Sequence, residues 1–129
     1  MIYVPDTHAL VWYLIADKRL GAHAKTALAS IDQGEHQGII STLVLAEMMY
    51  LEERGRIQVN LDVLIANLQS NANYSIVPFD QEILRAAKKL NQAPELFDRM
   101  IAATAIYFDA ILLTRDNVFH DLRAIKTVW

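Results

Sequence analysis

A helix joined to a buried strand by a very short link, residues 97–116, constrains the fold of this chain more than any other segment. Asp98 shares a helical stripe with the apolar residues that follow it at helical spacing, namely Ile101, Ala102, Ala105 and Ile106. Residues 110–114 (AILLT) are then apolar on both faces, which is typical of a strand covered by helices on each side. Because so short a link reverses the chain, the helix runs antiparallel to the strand. We therefore expect Asp98 and Asp116 to be neighbours at one edge.

The rest of the chain alternates between short apolar runs and segments with helical periodicity. Strands are predicted at residues 2–4, 38–40, 74–79, 110–114 and 125–129. Helices are predicted at residues 7–15, 21–33, 41–54 and 61–70, after the cap residue Asp80, and from residue 97, with a loop at residues 91–95. This alternation predicts a three-layer α/β fold with a five-stranded, mainly parallel sheet and helices on both faces.

Composition limits the class of protein and of chemistry. The 129 residues fit one domain, residues 1–129, with a sizeable core, and 53% of them are hydrophobic. The chain has no cysteine, which excludes disulfides, zinc–thiolate sites and thiol catalysis. Its net charge of −3 does not indicate a general nucleic-acid binder, although a metal site is itself acidic. No signal peptide or membrane span is recognisable, so we expect a cytoplasmic protein.

Four acidic residues are expected at the same edge of the predicted sheet. Sites in open parallel sheets form beyond the carboxyl ends of the strands. Asp6 and Asp116 directly follow two predicted strands. Glu47 lies fewer than two helical turns after Ser41, the predicted cap of its helix, and so is close to the edge where the preceding strand ends. Asp98 reaches the same edge through the reversal described above. The topology therefore brings four carboxylates together.

Three of these acids also have ordinary structural explanations. Asp6 and Asp98 are each placed to cap a helix, although Asp98 has Ile101 rather than Glu or Gln at the capping-box position. Asp116 lies in the sequence TRDN, where an Asx turn is the usual interpretation. The individual residues therefore do not establish a site.

Glu47 is harder to explain as a surface residue. Leu43 and Leu51, one turn away on either side, place its carboxylate on an apolar stripe. A buried charge needs a partner, and Arg99 or Arg115 is a candidate for a purely structural ion pair. Four acids at one edge would instead repel one another unless a cation lay between them.

A hard dication satisfies such an arrangement. Mg²⁺ or Mn²⁺ prefers oxygen ligands, uses a few carboxylates and keeps several waters. A bound ion of this kind activates water and neutralises charge on a phosphate. Other chemistries lack their motifs, since the four histidines are scattered and neither a P-loop nor a dinucleotide fingerprint is present. His8 and Trp12, in an apolar run, are interpreted as packed side chains.

The sequence resembles the PIN-domain family, in particular the VapC-like toxins of bacterial toxin–antitoxin pairs. The matching segments are IYVPDTHALVW, STLVLAE, FDRMIAATA and LLTRD, and they occur in the expected order over nearly the whole chain. The resemblance implies a five-stranded parallel sheet in the order 3-2-1-4-5. It also implies an Mg²⁺- or Mn²⁺-dependent endoribonuclease that forms homodimers and is silenced by a small antitoxin.

The resemblance also assigns roles to residues of this chain. The catalytic and metal-binding acids match Asp6, Glu47, Asp98 and Asp116, and the supporting hydroxyls match Thr7 and Thr114. Arg99 and Arg115, which lie beside two of the acids, are candidate phosphate contacts. The RNA that is cut, the number of ions and the identity of the antitoxin are left open.

Two hypotheses from other classes stand beside the ribonuclease. A phospho-acceptor receiver domain has similar layers, but it would carry an acidic pair at the end of the first strand, where this chain has Val4 and Pro5 before Asp6. A catalytically silent PIN-like binding module would use Arg99 and Arg115 to form salt bridges with the acids. Metal binding distinguishes that module from an enzyme.

Overall fold

The fold is a five-stranded sheet with helices packed on both faces. The computed structural model describes residues 1–93 and 95–129; Pro94, in the predicted 91–95 loop, lies outside them. The strands in this described part are β1 (Ile2–Pro5), β2 (Gln37–Ser41), β3 (Tyr74–Val77), β4 (Ile111–Leu113) and β5 (Thr127–Val128). The helices there are α1 (Thr7–Leu14), α2 (Ala22–Asp32), α3 (Thr42–Glu53), α4 (Leu61–Ser70), α5 (Gln81–Lys88), α6 (Leu96–Tyr107) and α7 (Asn117–His120).

The sheet has the order β3-β2-β1-β4-β5, and every neighbouring pair is parallel. The strand direction predicted from the alternation of elements and the strand order implied by the resemblance are therefore confirmed. This order also differs from the 2-1-3-4-5 order of receiver-type proteins. As the central strand, β1 carries the chain to the middle of the sheet edge, so the residues after it lie between those that follow β2 and β4.

Alternate residues of the strands face two different apolar layers. Tyr3 and Leu113 pack on one side against the apolar face of α2, which includes Leu28 and Ile31. Val4 and Leu112 point to the opposite side, where they join the larger cluster that contains residues of α3, α4, α5 and α6. Burial on both faces explains why the central strands are apolar throughout rather than alternating.

The reversal between α6 and β4 is as tight as the sequence indicated. The amide of Ala110 donates to the carbonyl of Ala105 at 2.8 Å, and that of Asp109 donates to Ile106 at 3.0 Å. Asp109 has φ +50°, a left-handed conformation that Asp adopts more readily than most residues. The reversal returns the chain along the sheet, so the first turn of α6 lies at the edge where β4 ends.

The helix caps follow the sequence at most positions and differ at one. The side chains of Ser41, Asn60 and Asp80 cap α3, α4 and α5. α6, however, begins at Leu96 with Glu95 at the N-cap position, so Asp98 is the third helical residue and not a cap. Its carboxylate is thereby not used to satisfy the first amides of the helix.

Two strands and one helix also differ from the prediction. The predicted strand at residues 125–129 contracts to Thr127–Val128, and the predicted strand at residues 74–79 ends at Val77. The helix α7 was not predicted, because four residues are too few to show helical periodicity. No helix in residues 1–93 and 95–129 is long and apolar enough to cross a membrane.

The close approach of β2 and β3 gives a test of the fold. A Cβ at Gly38 would lie 2.8 Å from two ring carbons of Tyr74, whose hydroxyl donates to Asp32 at 2.9 Å and so holds the ring in place. We expect Gly38→Ala to lower the free energy of unfolding by about 1–3 kcal/mol through overpacking, measured by urea denaturation. Ser75→Ala, at an exposed position of β3, is the control and should change stability by less than about 0.5 kcal/mol. Equal stability of the two variants would contradict this account of the packing.

Candidate active site

An acidic cavity lies at the edge of the sheet where the strands end. Its volume is about 210 Å³, and it is lined by Asp6, His8, Trp12, Asp98, Arg115, Asp116 and Trp129. Three of the four predicted acids thus share one cavity. The fourth, Glu47, is connected to them through Thr7.

Asp6 is fixed by β1 on one side and by α1 on the other. Its amide donates to the carbonyl of Leu113 at 3.0 Å, and its Oδ1 accepts from the amide of Ala9 at 2.8 Å as the N-cap of α1. Burial raises the pKa of Asp6 above its usual value, the Ala9 amide and the Thr114 hydroxyl lower it, and the charge of Asp116 raises it. The capping role expected from the sequence and the place in the acidic cavity therefore coexist in one carboxylate.

Glu47 is held against α1 by a hydroxyl. The Oγ1 of Thr7, a buried side chain, donates to Oε1 of Glu47 at 2.7 Å. Burial raises the pKa of Glu47, the Thr7 hydroxyl lowers it, and the charges of Asp6 and Glu95 raise it again. The apolar stripe predicted around Glu47 is thus accompanied by a polar partner, which is not an arginine.

Asp98 is a third acid of the cluster whose pKa is raised. It lies in the first turn of α6, where the helix dipole favours a negative charge. Burial nevertheless raises the pKa of Asp98 to about 6, helped by the charges of Asp6, Glu47, Asp116 and Glu95. Asp98 and Asp116 are therefore neighbours, as the sequence predicted.

Asp116 is positioned by the segment that follows β4. Its amide donates to Oγ1 of Thr114 at 3.1 Å, and its Oδ1 accepts from the amide of Val118 at 3.0 Å. This is the Asx turn expected from the sequence, and it also begins α7. Because Thr114 is buried and also contacts Asp6, its hydroxyl connects two of the acids.

Neither candidate arginine forms a salt bridge with these acids. The guanidinium of Arg99 donates to the carbonyl of Ala87 at 2.7 Å and to that of Lys88 at 3.2 Å, at the C-terminal end of α5. Arg115 lies over the ring of Trp12, with 4.8 Å between its Cζ and the ring centroid. Salt bridges in residues 1–93 and 95–129 join Arg19 to Asp17 and Arg85 to Glu82. The ion pairs that a silent binding module would use are therefore not formed.

The acids influence one another's charge without forming a complete ligand shell. In the described ranges, no three acidic or histidine side chains are arranged so that they could hold a metal ion by themselves. Charges interact over longer distances than metal–ligand bonds, which reconciles this finding with the raised pKa of Asp98. The donor set consists of oxygens, and it fits a hard dication such as Mg²⁺, which binds one or two carboxylates and keeps several waters.

Three aromatic side chains of the cavity were not identified from the sequence as site residues. His8 is exposed and lies 5.2 Å, centroid to centroid, from the buried ring of Trp12, so the interpretation of His8 as a packed side chain is wrong. Trp129 directly follows β5 in the chain, and its ring centroid lies 5.9 Å from that of Trp12. Its position at the carboxyl end of the last strand is the signal by which it could have been found.

Solved structures with the same fold cover almost the whole chain. The VapBC2 structure from Rickettsia felis, bound to a DNA fragment from the promoter, has a TM-score of 0.71 and 19% identity over 99% of this chain and 98% of that one. A toxin–antitoxin complex from Klebsiella pneumoniae has a TM-score of 0.69 and 24% identity over 98% and 96%. FitAcB from Neisseria gonorrhoeae has a TM-score of 0.65 and 20% identity over 100% and 97%.

Sequence comparison gives the family directly. No curated protein matches the chain. A family model described as the PIN domain matches residues 3–125, which include all four acids and both supporting threonines. The match confirms the resemblance found in the sequence motifs, and the sheet order agrees with it. This chain therefore belongs to the PIN-domain family.

Proposed function

We propose that this chain, as one nuclease domain over residues 1–129, is a metal-dependent endoribonuclease and the toxin of a toxin–antitoxin pair. The observation that carries the proposal is the group of half-buried carboxylates around one cavity with no basic side chain paired to them in the described residues. Such a group is electrostatically unfavourable by itself, as the raised pKa of Asp98 indicates. A dication removes this repulsion and gives the carboxylates a chemical role.

The proposed ligands are Asp6, Glu47, Asp98 and Asp116, and the proposed ion is Mg²⁺ or Mn²⁺. When bound, such an ion lowers the pKa of a water and stabilises the charge that develops on a phosphodiester. The hydroxyl of Thr7 donates to Glu47, and that of Thr114 accepts from the amide of Asp116 and lowers the pKa of Asp6. Both threonine side chains are buried.

The arginines have different prospects as phosphate contacts. Arg115 lines the acidic cavity and is exposed, so its guanidinium can reach a phosphate bound there. Arg99 is engaged with the last carbonyls of α5. A phosphate contact by Arg99 therefore requires the loss of these hydrogen bonds, and Arg115 is the stronger candidate.

Single-stranded RNA is the proposed substrate. Unpaired bases can be splayed out and bound individually, whereas the bases of a duplex are inaccessible without unstacking. We expect cleavage of phosphodiesters in single strands or loops, with Mg²⁺ or Mn²⁺ present, and no cleavage in EDTA. Zn²⁺ should be a poor substitute because the ligands are all oxygens.

An antitoxin is the proposed partner. The similar structure from Klebsiella pneumoniae is a toxin–antitoxin complex, and a second protein bound to this chain would explain its exposed apolar side chains. Leu14 and Ile15 at the end of α1, and Met49 and Tyr50 in α3, are between 42% and 51% exposed. A partly disordered basic segment could cover them while placing an Arg or Lys among the acids. A homodimer is the other proposed assembly. The antitoxin complex and the homodimer would both form in the cytoplasm.

A catalytically silent binding module is the second candidate. It is favoured by the incomplete arrangement of ligands in the described residues. Titration with Mn²⁺ separates the two, since such a module would not bind the ion at the acidic cavity.

The first prediction concerns Asp98, which we expect to be required for cleavage. Asp98→Asn keeps the shape of the side chain and removes its charge, so cleavage of total RNA in Mg²⁺ should fall by at least about 100-fold. Asp109→Asn, the same change at the other end of α6, is the matched control and should keep the wild-type rate. Wild-type activity of Asp98→Asn, purified from a nuclease-free host, would exclude the assignment.

The second prediction concerns the pH dependence of the metal-free protein. Because the pKa of Asp98 is raised to about 6 in the folded chain, the fold binds this proton more tightly than the unfolded chain does. The contribution of Asp98 to stability in EDTA should therefore be fully present below the unfolded pKa of about 4 and should be lost as the pH rises through about 6. Asp98→Asn should remove this part of the slope and raise the free energy of unfolding at pH 7.5 by about 1 kcal/mol, after allowance for solvent screening.

Thermal melts at a series of pH values measure this effect. Mg²⁺ should stabilise the wild-type chain and the Asp109→Asn control, and it should stabilise Asp98→Asn less. An identical pH slope in all three proteins would show that Asp98 does not carry the raised pKa.

The third prediction tests the biological role. Expression of the wild-type chain alone should arrest growth, and co-expression of a small neighbouring gene product should relieve the arrest. Asp98→Asn should be harmless at the same expression level. If the wild-type chain is harmless while it cleaves RNA in vitro, the chain is an RNA-processing enzyme and not a toxin.

A further inference from the structure

One wall of the acidic cavity is aromatic and basic instead of acidic. Trp129 and Arg115 line the cavity together with Asp6, Asp98 and Asp116. The acids repel the phosphates of a nucleic acid, so favourable binding contacts must come from other groups beside them. Trp129 and Arg115 are placed to make such contacts.

The indole of Trp129 is held in a fixed position. The amide of Thr114 donates to the carbonyl of the preceding residue, Val128, at 3.2 Å, which joins this segment to the end of β4. The ring packs edge to face on Trp12, with 5.9 Å between centroids and an interplanar angle of 68°. On another side it lies so close to Gly21 that a Cβ there would come within 2.6 Å of its Cδ1. A ring fixed in this way loses little conformational entropy when a ligand binds.

Arg115 supplies a positive charge at the same wall. Two arginines lie over Trp12, with Cζ of Arg19 at 4.6 Å and Cζ of Arg115 at 4.8 Å from the ring centroid. Arg19 is neutralised by Asp17 at 2.8 Å, whereas Arg115 forms no salt bridge in residues 1–93 and 95–129. The Arg115 charge is therefore available to an anion in the cavity.

We propose that Trp129 is a base-stacking residue that positions single-stranded RNA, with Arg115 binding the phosphate of the stacked nucleotide. The inference rests on the proposed ribonuclease function and adds a substrate-binding residue to it. Stacking on an aromatic ring accepts any unpaired base and does not depend on charge, so it is not opposed by the neighbouring carboxylates. A stacked base would bring the adjoining phosphodiester to the acids.

Fluorescence provides a binding test that needs no cleavage. The chain has two tryptophans, so Trp12→Phe leaves Trp129 as the single indole and keeps an aromatic ring beneath Arg115. We expect a short oligouridylate, added in EDTA, to quench the emission of Trp129. Polyphosphate of matched charge and duplex RNA should not quench it, because neither presents an unpaired base. Absence of quenching by oligouridylate, or equal quenching by polyphosphate, would overturn the proposal.

Kinetics on a single-stranded RNA provides the second test. Trp129→Ala should raise KM by about 5- to 100-fold, the range for loss of one stacked base, with a smaller change in kcat. Trp129→Phe should retain most of the affinity. Tyr107→Ala removes an exposed aromatic ring at the far end of α6 and serves as the control, with KM unchanged. An unchanged KM in folded Trp129→Ala would overturn the proposal.

The two proposals fail in different ways. If cleavage depends on Asp98 while neither test reports a role for Trp129, the ribonuclease stands and the stacking residue is wrong. If the wild-type chain cleaves no RNA, the proposed function falls, and the fluorescence titration still decides whether Trp129 binds unpaired bases. If Trp129→Ala does not fold, the titration of Trp12→Phe decides the question alone.

Discussion

The parallel pairing of β1 with β4 is the interaction on which the acidic edge depends. It sets Pro5 opposite Leu113, and the amide of Asp6 continues the pairing with a hydrogen bond to Leu113. The residues that follow the two strands are thereby brought side by side, and a shift of the register would separate Asp6 from Thr114. The β1–β4 register therefore keeps Asp6 close to the residues that follow β4.

The carboxylates themselves oppose folding. Burial and mutual repulsion raise the pKa values of Asp6, Glu47 and Asp98, so the charged forms are less stable in the folded chain than in water. The apolar layers on both faces of the sheet compensate for this. Hydroxyls, which leave the negative charges in place, are used to orient the acids where an arginine would have neutralised them. This choice is the one expected if a dication binds among the acids, as proposed above.

The sequence predicted the parts of the site that depend on local geometry. The short link before β4 was sufficient to place Asp98 beside Asp116, because a tight reversal allows one arrangement only. The strand order came from the family resemblance, since local periodicity does not specify which strands pair. The exposure of His8 and the place of Trp129 were missed because both depend on how distant segments pack. An apolar run in the sequence does not show which of its residues lies at the end of a helix and faces a cavity.

The position of β1 in the sheet has a consequence for synthesis of the chain. β1 is made first, but β4 and α6, which bring Asp98 and Asp116 to it, follow α1–α5. A nascent chain that ends before α6 can bury parts of β1, β2 and β3, yet it carries only Asp6 and Glu47 of the acidic group. Contacts between such distant segments slow folding, because the entropy of closing long loops is lost before the contacts form. The acidic edge is therefore assembled only after α6 and the residues that follow β4 have left the ribosome, and a product truncated before α6 lacks two of the four carboxylates.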